Sequence, residues 1–493
     1  MRETQRVADP LIRRDAWGLE EEGGTWHPIM EAYALAVGVM QGRPRDDATS
    51  WTYQAAVHGV ASGEPVDDFV DQCQHNTWHF LPWHRIYLHL FERIVRQILS
   101  ELDEVSEDVE TGWALPYWNY DRGGDTAALP TAFREATLSD GQTPNPLFTD
   151  LRDPNLLAGG QLHPLQVTSQ QALAEGFFSS DPVPGGTVGF GGAETGWNHF
   201  RENPGAAPGA LEQTPHNVVH GAVGGPFGGL MGAFDTAPLD PIFWLHHSNI
   251  DRLWVVWLGQ DGRENPTGSG WTDLDFDFKD ETGTGVRMRA SQVLDPATLG
   301  YEYEEPAARL LAAGAQGGSA MPTEPPADRP PELVGATEEP LTLTGEQQDV
   351  QIPVGQPTGP SLLSDSGEPE RVFVNVEGIE GDANPGLSYA VYVNLPDDQD
   401  PNTAERYHVG NLSFFGIERA RDTERDHPGG HGLRYAFDIT DLARALREEG
   451  RWDPDELRIT FSPIRPLPPE GREAAPEPAG PPVKIGRVGI YFQ

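Results

Sequence analysis

Cysteine is almost missing: Cys73 is the single one in 493 residues. An internal disulfide is impossible, and zinc or iron–sulfur sites built from several thiolates are excluded. Lysine is nearly as scarce, with only Lys279 and Lys484. Basic residues number 34 against 76 acidic ones, a formal net charge of -42. A surface of that sign repels nucleic acid and anionic membranes. It keeps a chain soluble, in high salt included, and says nothing about a reaction. No uninterrupted apolar run is long enough to span a bilayer. The start, M-R-E-T-Q-R-V-A-D-P-L-I-R-R-D, lacks an apolar core and a small-residue cleavage site. The expectation is therefore a cytoplasmic start.

The chain is long enough for two or three domains. Ile29, Tyr33, Val37 and Met40 recur at helical spacing. So do Ile86, Tyr87, Leu90, Phe91, Ile94, Val95 and Ile98, and again Ile250, Leu253, Trp254 and Trp257. Residues 28–260 thus read as mainly helical, interrupted over 120–210 by Gly, Pro, Asn and Asp that predict long surface loops. Residues 312–340 are dense in Pro and Gly and read as a linker. Beyond it come short alternating runs such as R-V-F-V-N-V (371–376), Y-A-V-Y-V-N-L (389–395), R-Y-A-F-D-I (434–439), L-R-I-T-F (457–461) and V-G-I-Y-F (488–492). The expected architecture is an α-helical bundle over 1–311, with a distinct segment at 265–311, the linker 312–340, and an all-β sandwich over 341–493.

Histidine carries the chemistry. One cluster runs from His75 to Glu92 as H-N-T-W-H-F-L-P-W-H-R-I-Y-L-H-L-F-E. A second runs from P-H-N-V-V-H (215–220) to D-P-I-F-W-L-H-H-S-N-I-D (240–251). His216 and His220, four apart, share one helix face and could share a metal, with His247 as a third ligand. Asp251, one turn after His247, is placed to orient a ligand ring or to pair with an arginine. In the first cluster His84 begins an amphipathic helix bearing Leu88, Phe91 and Glu92, His75 comes from the preceding loop or helix start, and His58 is the best third ligand. His79 and His89 read as neighbours of the site or surface residues. Three imidazoles per metal without thiolate or carboxylate suit copper above all, with zinc as the alternative. Two such sites side by side have a specific use in holding dioxygen between two copper(I) ions.

These clusters resemble the signatures of the tyrosinase, catechol oxidase and hemocyanin superfamily of type 3 copper proteins. The pattern H-x4-F-L-P-W-H-R-x2-L-x3-E runs from His75 through Phe80, Trp83, His84, Arg85 and Leu88 to Glu92. The pattern D-P-x-F-W-x2-H-x3-D runs from Asp240 and Pro241 through Phe243, Trp244 and His247 to Asp251. The resemblance implies two copper ions, the first on His58, His75 and His84, the second on His216, His220 and His247, with His246 left out. It implies a thioether between Cys73 and His75, as in fungal members. It implies that Phe234 lies over the copper site and that Glu212 and Asn217 hold a water that deprotonates monophenols.

The runs from Trp271, Leu299, Tyr407 and Val483 resemble plant polyphenol oxidases, whose C-terminal domain covers the copper entrance until it is removed. The implied activity is that of a tyrosinase, which uses dioxygen to hydroxylate monophenols and oxidise o-diphenols to o-quinones, with an activating protease as a further partner. A catechol oxidase and a hemocyanin-like oxygen carrier are the alternatives.

Overall fold

The computed structural model describes residues 9–19, 26–61, 64, 67–180, 185–196, 207–304, 330–355, 369, 371–420, 432–453, 457–474 and 480–493. The chain falls into two compact units. One is made of segments 1–73, 81–150 and 235–317, the other of 74–80, 151–234 and 318–493.

The first unit is built on four helices, Pro28–Gly42, Trp51–His58, Phe80–Leu99 and Ile242–Leu258. The apolar faces of Pro28–Gly42, Phe80–Leu99 and Ile242–Leu258 are those read from the sequence, Trp51–His58 was not foreseen, and the four bury large aromatic rings. Phe91 and Trp244 stack face to face with centroids 3.5 Å apart, and the Tyr33 hydroxyl donates to Pro241 O at 2.9 Å. The Phe80–Leu99 helix starts one turn before the expected point at His84. Pro82 does not prevent this, because the first helical turn leaves backbone N–H groups unbonded anyway. A hairpin (Asp275–Lys279 with Gly285–Arg289) and a short parallel pair (Leu11–Arg13 with Tyr301–Tyr303) complete the unit.

The second unit contains a two-sheet sandwich. One sheet runs in the order Leu433–Asp438, Val372–Glu380, Val483–Phe492, Glu332–Ala336, with Leu341–Leu343 also on Val483–Phe492. The other runs His408–Leu412, Ser388–Val393, Leu457–Ile464, Gln348–Ile352. Both sheets turn apolar residues into one core that includes Val374, Val376, Val391, Phe461, Ile485 and Ile490. Two short helices, Ile417–Ala420 and Thr440–Glu448, accompany the strands. Ser388–Val393 is buried on both faces because the Val218–Gly224 helix packs on it.

Three expectations need correction. The strand Glu332–Ala336 falls inside the stretch read as linker; Leu333 and Val334 are its only large apolar residues, too few to mark it. Residues 312–329 lie outside the described residues. The 120–210 region is irregular, as expected, but it is not surface loop: Leu129, Phe133, Leu147 and Leu156 are fully buried. The boundary between units also does not fall at 311, because 151–234 packs with the sandwich. Gln161 and Leu467 exchange backbone hydrogen bonds, and Asn411 Nδ2 donates to Leu165 O at 2.6 Å.

Candidate metal centre

Each unit gathers three of the six histidines. In the first unit the helix ends converge: His58 closes Trp51–His58, His84 lies in the second turn of Phe80–Leu99, and His247 in the second turn of Ile242–Leu258. The rings of His84 and His247 stack at 4.5 Å and 12°, and His58 lies 5.6 Å from His84 and 6.4 Å from His247. Trp83 packs edge-on to His84 at 4.7 Å. Phe243 touches both His247 (4.2 Å) and His58 (5.2 Å). Two aromatic residues of the motifs thus act as the wall that holds the imidazoles. Cys73 is fully buried, its N–H donates to His58 O at 3.3 Å, and its sulfur lies within 4.8 Å of a His58 ring nitrogen.

The charged motif residues form a separate buried network. Arg85 Nε donates to Asp251 Oδ1 at 2.5 Å, and Arg13 Nε to Glu92 Oε2 at 3.0 Å. The hydroxyls of Tyr301 and Tyr303 both donate to Asp251 Oδ2 at 2.6 Å. Burial alone raises a carboxyl pKa; at Asp251 the Arg85 and Arg13 charges overcome it and hold the group below its ordinary value. Asp251 therefore pairs with arginine, one of the two roles expected of it, and ties the helices that carry His84 and His247. Arg13, Tyr301 and Tyr303 had no signal in the sequence pointing to this network.

In the second unit His216 lies on a wide turn, Glu212–Asn217, interrupted at Thr214, rather than on a regular helix. The expected facing still holds, with His216 and His220 rings 4.6 Å apart. The Val218–Gly224 helix lies so close to Leu230–Gly232 that a Cβ on Gly224 would meet Gly232 N at 2.5 Å. That approach brings Met231 O to 2.9 Å from His220 Nδ1. His216 Nδ1 is 2.8 Å from Asn217 Oδ1. Both acceptors fix the proton on Nδ1 and leave Nε2 as the ligating nitrogen. Buried neutral imidazoles anchored in this way fit copper or zinc.

His75 follows in the same unit, 5.6 Å from His216. Asn76 takes a left-handed turn (φ 59), and its N–H donates to both carboxylate oxygens of Glu212, at 2.9 and 3.0 Å. Glu212 is buried, 1% exposed, and its Oε1 is 3.4 Å from His75 Nδ1. Burial pushes its carboxyl up to about 8, against the opposing Asn76 N–H. Phe234 packs against His75 with centroids 4.5 Å apart.

The histidines set aside are mostly interior rather than surface residues. His79 and His246 are fully buried. His246 has ligand atoms within 4.8 Å of those of His247, but its Nδ1 is 3.1 Å from the Tyr120 hydroxyl, and burial lowers its pKa to about 3. Burial lowers His89 to about 4.

Phe415 was not foreseen. Its ring stacks on His220 at 4.0 Å and 16° and meets Phe234 at 4.3 Å. It follows the strand His408–Leu412 of the sandwich, and only its place in an aromatic run, L-S-F-F-G-I, could have drawn notice.

Residues 48–260 match the model of the common central domain of tyrosinase, residues 265–313 that of the polyphenol oxidase middle domain, and residues 330–493 a domain of unknown function. The chain is similar to the tyrosinase HcTyr1 of Hahella sp. (strain CCB-MM4), 32% identical over 507 residues, with 98% of this chain and 99% of that one covered. It is 26% identical over 474 residues to a chloroplastic polyphenol oxidase of Malus domestica, covering 88% of this chain and 72% of that one. In fold it is similar to latent apple tyrosinase, with a TM-score of 0.63 at 24% identity over 99% of this chain and 98% of that one. Among the described residues no helix is long and apolar enough to cross a membrane.

Proposed function

The chain belongs to the tyrosinase family of type 3 copper proteins, and from that premise we propose that it hydroxylates monophenols ortho to the hydroxyl and oxidises the diphenols to o-quinones. Its cofactor is the family's pair of copper ions. In this reading His58, His75 and His84 hold one ion, and His216, His220 and His247 the other. When bound, the pair supplies dioxygen binding and electron transfer, chemistry that no side chain of the chain can perform.

The protein's part is positioning and proton handling. The buried Glu212 beside His75 carries the monophenol reading. A carboxylate whose basicity burial raises suits proton removal near neutral pH, though positive charge in the loaded site pulls it down again. With Asn217 it holds the water that takes the phenolic proton. Phe234, packed on His75, borders the phenol ring. Phe415, stacked on His220, fills the place a phenol ring would take, which supports latency until the C-terminal domain is removed. A Cys73–His75 thioether would restrain His75; the intact mass, short of a pair of hydrogens, tests it.

One observation favours catechol oxidation alone: the Asn217 amide oxygen is already engaged, 2.8 Å from His216 Nδ1. Oxygen uptake with tyramine, L-tyrosine and catechol, before and after proteolysis within 312–329, separates the readings. Cleavage is expected to release both activities. Glu212→Gln is expected to lower hydroxylation about a hundredfold while catechol oxidation persists. No turnover of any phenol after cleavage overturns the enzyme reading.

A further inference from the structure

In the second unit two ligand rings are oriented by acceptors that stand on no rigid element of their own. Asn217 Oδ1 holds His216 Nδ1 at 2.8 Å, and Asn217 closes a wide turn that leaves helical geometry at Thr214 (φ -145, ψ 124). Met231 O holds His220 Nδ1 at 2.9 Å, and Met231 lies in a single three-residue turn, Leu230–Gly232. Six of the twelve residues from Gly221 to Gly232 are glycine, so this stretch gives up much conformational freedom when it is fixed. A continuous helical ladder sets neither acceptor.

Both are tied instead to the sandwich, one step behind the ring. The Ser413 hydroxyl donates to the backbone carbonyl of Asn217 at 2.6 Å and accepts from Phe415 N–H at 3.4 Å. Ser413 is itself held, because the Tyr435 hydroxyl donates to Ser413 O at 2.7 Å. Asn384 Nδ2 donates to the carbonyl of Gly232, the residue after Met231, at 3.0 Å. Its Oδ1 accepts from Gly386 N–H at 3.0 Å. The two ties converge on the residue after His220: a Cβ on Gly221 would lie 3.7 Å from Asn384 Nδ2 and 3.8 Å from Ser413 Oγ. Hydrogen bonds behind a ligand ring fix its direction and thereby the affinity for the metal. We propose that Ser413 and Asn384 are positioning residues for the second copper ion, so that its retention depends on the sandwich. The inference rests on the assignment of His216, His220 and His247 to that ion. Removing the sandwich to admit phenols then also loosens the turns that hold two of its three ligands.

The test uses the full-length, copper-loaded chain and follows copper passing to a copper(I) chelator under ascorbate, a readout independent of turnover. Ser413→Ala removes one tie. Asn384→Asp removes the other and keeps the acceptor for Gly386 N–H. Each is expected to release one of the two ions about tenfold faster than wild type, with the other ion unchanged. Asn411→Ala is the control. It breaks a bond from the same sandwich to Leu165 O, away from both turns, and should leave both rates alone. A wild-type rate in either Ser413→Ala or Asn384→Asp overturns the proposal. So does an equal acceleration in Asn411→Ala, or an equal loss of both ions. The assignment beneath it is tested apart, by the copper bound before any chelator is added: a wild type that holds fewer than two ions per chain overturns that assignment. Two ions, with release unmoved by the substitutions, overturn only the role of Ser413 and Asn384.

Discussion

At the scale of the residue, the partner of one ring nitrogen decides which nitrogen is left for a metal. His220 gives Nδ1 to Met231 O and His216 gives it to Asn217, so both keep Nε2 for a metal. His246 engages Nδ1 in the same way, with the Tyr120 hydroxyl, and adjoins His247 in sequence and space, so it is its place outside the fixed positions of the motif that marks it as a bystander. Copper content therefore sorts the histidines. His220→Ala should lose about half of the bound copper, because two imidazoles hold the ion far more weakly than three. His246→Gln should keep the full complement, with thermal stability lowered by about 1–3 kcal/mol from the disturbed buried contact with Tyr120. Metal analysis of the purified variants decides it; equal losses in the two would place His246 among the ligands. Asn217 shows the same logic one step out. Its amide oxygen fixes His216, and its backbone carbonyl accepts from the Ser413 hydroxyl at 2.6 Å.

At the scale of the element, the sandwich meets the segment 151–234 through backbone approaches that tolerate no side chain. Gly386 has φ +71, and a Cβ there would lie 2.1 Å from Gly225 C. The neighbouring Asn384 donates Nδ2 to Gly232 O at 3.0 Å, next to the turn that anchors His220. Gly386→Ala must push this loop away, at a cost of about 1–3 kcal/mol. Part of the population should open, and catechol oxidation by the uncleaved chain should rise about tenfold. Basal oxidation equal to wild type, with an unchanged melting temperature, would show that the loop absorbs the methyl without loosening. The elements also show what the sequence could reveal. Three of the four helices and the strands at 372–380, 388–393, 433–438, 457–464 and 483–492 were legible because their burial follows a local period, and Arg85, Glu92 and Asp251 because they stand within fixed motifs. Arg13, Tyr301 and Tyr303 were not, since they reach Asp251 from the other ends of the chain. Nor was Phe415, whose role depends on which residue of the sandwich lands beside His220. The strand Glu332–Ala336 was hidden by having two large apolar residues in five, too few to display alternation.

At the scale of the whole molecule, charge is the large effect that belongs to no single site. Acidic residues outnumber basic ones 76 to 34, and the interior network takes arginines and carboxylates alike, Arg13 and Arg85 with Glu92 and Asp251, so it leaves the surface excess of negative charge in place. Exposed pairs such as Arg287–Asp277 and Arg289–Asp275 use up further arginines at little gain in stability. The remaining carboxylates repel one another, and folding concentrates them, so the folded state bears a cost that the expanded chain largely avoids. Salt shortens the range of this repulsion from about 30 Å at 0.01 M to about 3 Å at 1 M. A chain with balanced charges loses its surface ion pairs over the same range and gains nothing in return. Here the repulsive pairs outnumber the attractive ones, so the melting temperature should rise by about 5 °C between those concentrations. Sodium chloride and choline chloride should act alike if screening is the cause, because it depends on ionic strength and not on the identity of the cation. A rise with sodium alone would mean site-specific cation binding, and a flat or falling curve would mean that the net charge of -42 is spread too thinly to weigh against folding.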